Sequence, residues 1–216
     1  MASALSEYSQ VGVGIVVPYD FALDRELWRW APAESTLHLT RLPVGPAAVT
    51  VEMVTKVGDS GHVRTAVGDL LQALELLGVD KVSIAAPYST AITAGLRDFL
   101  VATGRQVVGF SELNLTQNIW TVPQRVTADL ITAADAPDAQ AIVVSCTNLA
   151  TYELIAPLEA ELGKPIVSAN QATMWAALRM VGLAAVGDGQ GLLATDLLHH
   201  CIAEPSELLN RVRRPT

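Results

Sequence analysis

Apolar runs stopped by Pro, Gly, Asp or Asn alternate along this chain with stretches whose apolar residues recur at helical spacing. "VGVGIVVPYD" (11–20) is an apolar run closed by Pro and Asp, which predicts a buried strand and a loop. "TLHLTRLP" (36–43) alternates apolar and polar residues and predicts a second strand. "AVGDLLQALELLGVD" (66–80) has helical spacing with Gly78 as its stop. Then follow a strand and loop in "KVSIAAPY" (81–88), a helix in 89–104, a strand in 106–115 and a helix in 123–135 with Pro near its first turn. "AQAIVVSC" (139–146) predicts a strand and "LATYELIAPLEAELG" (149–163) a helix kinked at Pro157. The remaining elements are a short strand (164–170), a helix (171–183) and a last helix (189–202). Strands and helices alternate from residue 66 onward, so the fold class is α/β, with a parallel sheet covered by helices on both faces.

In such a sheet, ligands sit beyond the carboxyl ends of the strands. Four predicted ends carry reactive or polar side chains: Tyr19 with Asp20, Tyr88 after "SIAAP", Cys146 after "AIVVS", and Asn170 after "IVSA". Cys146 stands where a strand stops and a helix begins within a few residues. A thiol there faces unpaired backbone N–H groups and the positive end of the helix dipole, and both favour the thiolate. Thr147 and Asn148 add a hydroxyl and an amide at the same turn, and their backbone N–H groups could hold a carboxylate. The alternative is a buried cysteine that fills space under the helix. Tyr88 could donate to a developing oxyanion or be an ordinary loop aromatic.

Composition narrows the classes. Half of the 216 residues are hydrophobic, 17% are charged and only 5% are aromatic, so Val, Ala, Leu and Ile must build the core. Net charge is −8 and no basic patch stands out, which argues against nucleic acid; an anionic substrate would need local donors. Two cysteines far apart fit a reducing compartment rather than a disulfide framework. The start "MASALSEYSQ" has no basic n-region, and no apolar run is long enough to span a membrane, so the expectation is a cytoplasmic protein.

Several patterns invite chemistry and do not support it. His199, His200 and Cys201 look like a metal cluster, but adjacent helical residues point about 100° apart and cannot easily share one ion. No metal site is expected. "GVG" at 12–14 lies inside a strand and lacks the third glycine of a dinucleotide fingerprint. The acidic residues of 153–161 read as a solvated helix face.

"VVSCTNL…IAPLEAELGKPIVSANQATMWAALR", with "VSIAAPY" and "GIVVPYD", resembles the aspartate/glutamate racemase superfamily, in the branch of maleate cis–trans isomerases and arylmalonate decarboxylases. The resemblance covers most of the chain and is strongest over 81–187. It implies two pseudo-symmetric Rossmann-like lobes with parallel sheets and a small dicarboxylate or related acid bound between them, with no cofactor. By position it makes Cys146 the acid/base thiol and Tyr88 a hydrogen-bond donor to the substrate carboxylate. Thr147 and Asn148 would add donors beside the thiol, and Asn118, Asn170 and Tyr19 fall at polar or substrate-loop positions. The implied lobes are 1–75 plus 171–216 and 76–170.

Two departures matter. Asp20 stands in the substrate loop, where it would repel a carboxylate unless turned away or protonated. After "VEMVTKVGDS" the chain passes directly to "GHVRTAVGDLLQAL", so roughly one βαβ unit of the N-terminal lobe is missing at Ser60–Gly61, either from the protein or from the sequence at hand. Exposed apolar surface on a shortened lobe would favour a homo-oligomer. Two functions follow. One is a cysteine acid/base enzyme, isomerase-like or decarboxylase-like. The other is an inactive paralogue that binds a small acid or serves as a subunit.

Overall fold

The computed structural model describes residues 11–17, 24–41 and 66–196. Tyr19, Asp20, the 60–61 junction and the His199–His200–Cys201 run lie outside the described residues.

Two parallel sheets organise these segments. The first pairs β1 (Val11–Val17) with β2 (Ser35–Arg41), in register from Val11 opposite Ser35 to Val17 opposite Arg41. Between them lie a short helix α1 (Asp24–Leu27) and a 3-10 turn (Trp28–Trp30), neither of which the apolar pattern predicted. The second sheet has four strands: β3 (Lys81–Ala86), β4 (Gln106–Glu112), β5 (Ala141–Val144) and β6 (Ile166–Ser168), in the order β4-β3-β5-β6. All its pairings are parallel. Every residue of β5 and β6 is buried, as are the last five of β3. Strands covered on both faces need apolar side chains at successive positions, which is why they read as unbroken runs.

Helices α2 (Ala66–Leu76), α3 (Thr90–Ala102), α4 (Gln124–Ala134), α5 (Tyr152–Leu162) and α6 (Ala169–Met180) cover the sheet. Gly78 and Gly163, at φ of 65° and 69°, end α2 and α5 in the left-handed conformation that glycine adopts without a Cβ clash. α5 runs unbroken across Pro157. Asn170 belongs to the first turn of α6 and not to the preceding strand, because the Ser168 hydroxyl caps that helix by accepting from Gln171 N.

Strand order fixes where a ligand can sit. From β3 the chain moves one way to β4, then crosses back to β5 on the other side of β3. The loops leaving β3 and β5 therefore diverge, and a crevice opens beyond those two strand ends. Tyr88 follows β3 and Cys146 follows β5.

Candidate active site

Cys146 is two residues past the end of β5, and its neighbour Ser145 remains tied to the sheet through Ser145 N donating to Ala85 O at 3.0 Å. At Cys146 the backbone turns to φ 152°, a value that L side chains rarely adopt. Such outliers persist where surrounding contacts over-determine them and cluster at functional turns. The turn brings Asn148 N to 3.3 Å from Cys146 Sγ, donating to the sulfur. An N–H aimed at sulfur lowers the cost of negative charge there. Only 6% of Cys146 is exposed.

Tyr88 is half-buried, with its hydroxyl within hydrogen-bond reach of the Cys146 thiol and the Ser145 hydroxyl. Desolvation of the phenol pushes its pKa well above the usual value of 10, and the charge on Cys146 beside it pushes in the same direction. Tyr88 is therefore held in its protonated, hydrogen-bond-donating form. The pair combines a sulfur that can exchange a proton with a hydroxyl that can donate to an oxyanion.

The other expected site residues fall into three groups. Thr147 and Asn148 line the same turn, half-buried. Asn170 is buried behind it, and its Nδ2 donates to Thr147 O at 3.2 Å. Asn118 stands apart. It is exposed, at φ 55°, on the wall of a cleft of about 610 Å³ formed by 113–118 and 121–123 with Val126. The lining of that cleft includes neither Cys146 nor Tyr88. Tyr19 lies outside the described residues. Among the described residues, no group of three or more His, Cys, Asp or Glu could hold a metal ion.

Sequence reasoning missed the polar cluster behind the turn. Glu26, from α1, reaches the start of α5: its Oε1 accepts from Thr151 N at 2.6 Å, Thr151 Oγ1 at 2.8 Å and Tyr152 N at 2.8 Å. Burial pushes the Glu26 carboxyl above its ordinary pKa, against the lowering effect of those donors. The Thr151 and Ser168 hydroxyls are 2.9 Å apart. Gln171 Nε2 and Trp30 Nε1 both donate to Gln190 Oε1, at 2.8 and 2.9 Å. One signal was legible: Ser168 and Gln171 form the S-x-x-Q spacing of a capping box. Glu159 corrects the reading of 153–161 as a solvated face. Its Oε1 accepts from Ile166 N and its Oε2 from Gly191 N, both at 2.7 Å.

Comparison with known proteins identifies the family. The arylmalonate decarboxylase family profile matches residues 47–194. Arylmalonate decarboxylase of Bordetella bronchiseptica is 31% identical over 192 residues, covering 81% of this chain and 79% of the relative. Maleate isomerase of Pseudomonas putida KT2440 is 28% identical over 135 residues, which span 61% of this chain and 54% of the isomerase. The crystal structure of a maleate isomerase from Pseudomonas putida S16 superposes with a TM-score of 0.73 at 22% identity, over 85% of this chain and 98% of that one, and so shares its fold. The named relatives are enzymes. With the profile matched across β3 to α6 and the Cys146 turn, the chain belongs to the arylmalonate decarboxylase family.

Proposed function

We propose that the protein is a cofactor-independent decarboxylase of a small malonate-type dicarboxylic acid, with Cys146 as the proton donor. The observation that carries this reading is the pairing of the Cys146 sulfur with the Tyr88 hydroxyl at the β3–β5 switch point, with Asn148 N donating to that sulfur. Loss of one carboxyl group as carbon dioxide leaves its bonding electrons on the α-carbon as an enediolate with the remaining carboxylate. Tyr88 donates a hydrogen bond to that enediolate. The Cys146 S–H transfers its proton to the α-carbon, giving the monocarboxylic acid, and the thiolate regains a proton from water. Charge passes from an enediolate to a thiolate that already has an N–H partner.

One thiol suffices for this sequence of steps. A two-thiol reaction would have to recruit Cys201, the chain's other cysteine. Cis–trans isomerisation of maleate is the second reading, favoured by the sequence similarity to maleate isomerase.

The test uses the full chain with an arylmalonate and, separately, with maleate. Decarboxylation in deuterium oxide should place one deuterium on the α-carbon of the product, and Cys146→Ala should abolish turnover. Conversion of maleate to fumarate without carbon dioxide release would replace this reading by the second. Should neither acid react, and neither slow alkylation of Cys146 below about pH 7, the thiol is packing and the chain is an inactive paralogue.

A further inference from the structure

A helix that begins behind a reactive turn needs its N-terminal donors satisfied, and the usual source is the side chain at its own N-cap. α5 is built otherwise. Thr151 occupies the N-cap position and makes no side-chain cap to its own helix. Its hydroxyl and N–H, together with Tyr152 N, all go to Glu26, 125 residues away in sequence. The cap is supplied by α1, which belongs to the segment between β1 and β2.

A carboxylate is a costly choice for this task. Glu26 is only 7% exposed, and desolvation raises its pKa. Its second oxygen, Oε2, is buried and, among the described residues, has no hydrogen-bond partner at bonding distance. The Asn170 amide lies beside the carboxyl group, where it lowers the pKa of Glu26, and one N–H of its Nδ2 donates to Thr147 O. Glu26 thus touches the groups that hold the turn at both ends. Thr151 closes the turn on the helix side, and Asn170 holds Thr147, the residue after the thiol. Between these two anchors lies Asn148, whose N–H points at the sulfur.

We propose that Glu26 is a positioning residue for Cys146, clamping the 147–151 turn from the N-terminal sheet so that the Asn148 N–H stays aimed at the sulfur. This rests on Cys146 being the acid/base thiol of the proposed reaction. Glu26 touches neither the sulfur nor the substrate in this role. It acts through Thr151, Tyr152 and Asn170, and it makes the thiol's environment depend on how the α1 segment docks. The carboxylate reaches what a local Ser or Asp cap cannot, because a local cap would satisfy α5 without fixing it to the other sheet.

The experiment follows the alkylation rate of Cys146 against pH by peptide mass spectrometry on the full chain, which separates it from Cys201. Wild type is compared with Glu26→Ala, Glu26→Gln and Glu26→Asp. Glu26→Ala should move the thiol's apparent titration upward by about one pH unit or more. It should also lower kcat for the decarboxylation by about 10- to 100-fold with little change in KM. Glu26→Gln keeps an acceptor oxygen at the Oε1 position and should restore the wild-type profile. Glu26→Asp, one methylene short, should fall between, and it serves where the alanine variant fails to fold. A folded Glu26→Ala or Glu26→Asp with the wild-type profile and kcat overturns the role of Glu26 alone. A folded Cys146→Ala that still decarboxylates the acid overturns the acid/base reading and this role with it.

Discussion

Where a phenol lies buried beside a sulfur, burial favours its protonated form. Desolvation and the Cys146 sulfur beside it both raise the pKa of Tyr88 well above its usual value of 10. Its contribution to folding stability is therefore fully present below about pH 10 and is lost as pH rises toward the folded-state value, because the unfolded chain ionises first. Two outcomes follow for Tyr88→Phe. The difference titration of wild type against the variant should show one phenol ionising later than a free tyrosine, and wild-type stability should fall more steeply than the variant's above about pH 10. The same substitution removes one oxyanion donor and should lower kcat by about 100-fold. A tyrosine that titrates normally, with Tyr88→Phe fully active, would show that the hydroxyl does not face the thiol. Both partners were legible in the sequence, because a side chain just past a buried strand is displayed at one edge of the sheet whatever the loops do.

At the scale of elements, the strands were legible and the supports of the turn were not. β3, β5 and β6 are buried over nearly their whole length, so their apolar runs carry the signal directly. α1, at four residues, is too short to show a periodicity. It is held by tertiary contacts: the fully buried Trp30 just beyond it, edge-on to Tyr152 at 5.0 Å, and the bonds of Glu26. The apolar run "PIV" reads on as a strand toward Asn170, whereas the side-chain cap at Ser168 starts α6 there. Glu159 shows the same limit from the other direction. An acidic residue on a helix reads as solvated, yet this one joins the start of β6 to residue 191 through both oxygens. Burial raises its pKa, so its effect on stability is most favourable below the ordinary glutamate range and weakens as pH rises. Glu159→Ala strands two N–H groups and should cost roughly 1–3 kcal/mol for each that water cannot reach, read by urea unfolding. Glu159→Gln can accept only one of the two and should recover part of that loss. Glu159 lies toward the end of α5 away from the Cys146 turn, so thiol alkylation should keep the wild-type pH profile in both. A changed profile would mean that α5 transmits strain along its length.

For the whole molecule, the net charge of −8 sets a penalty that the site must overcome. A dicarboxylate approaching this chain meets a repulsive field, and among the described residues one cation at the start of α5 is already engaged. Arg29 pairs with Glu153 and stacks over the Tyr152 ring at 4.2 Å. In the proposed reaction, recognition draws on short-range donors, the Tyr88 hydroxyl and the N–H groups of the turn, which act only after the substrate has arrived. Repulsion at a distance and attraction at contact respond differently to salt. Raising ionic strength from about 10 mM to about 150 mM shortens the screening length from roughly 30 Å to roughly 8 Å. The long-range penalty on a dianion shrinks, while the buried contacts are little affected. The value of kcat/KM for a dicarboxylate should therefore rise a few-fold over that interval, with kcat nearly constant. The sign is the discriminating feature. An enzyme that steers its acid with a cationic mouth slows as salt is added. A fall in kcat/KM here would require positive charge near the site beyond the engaged Arg29, enough to reverse the field of the whole chain.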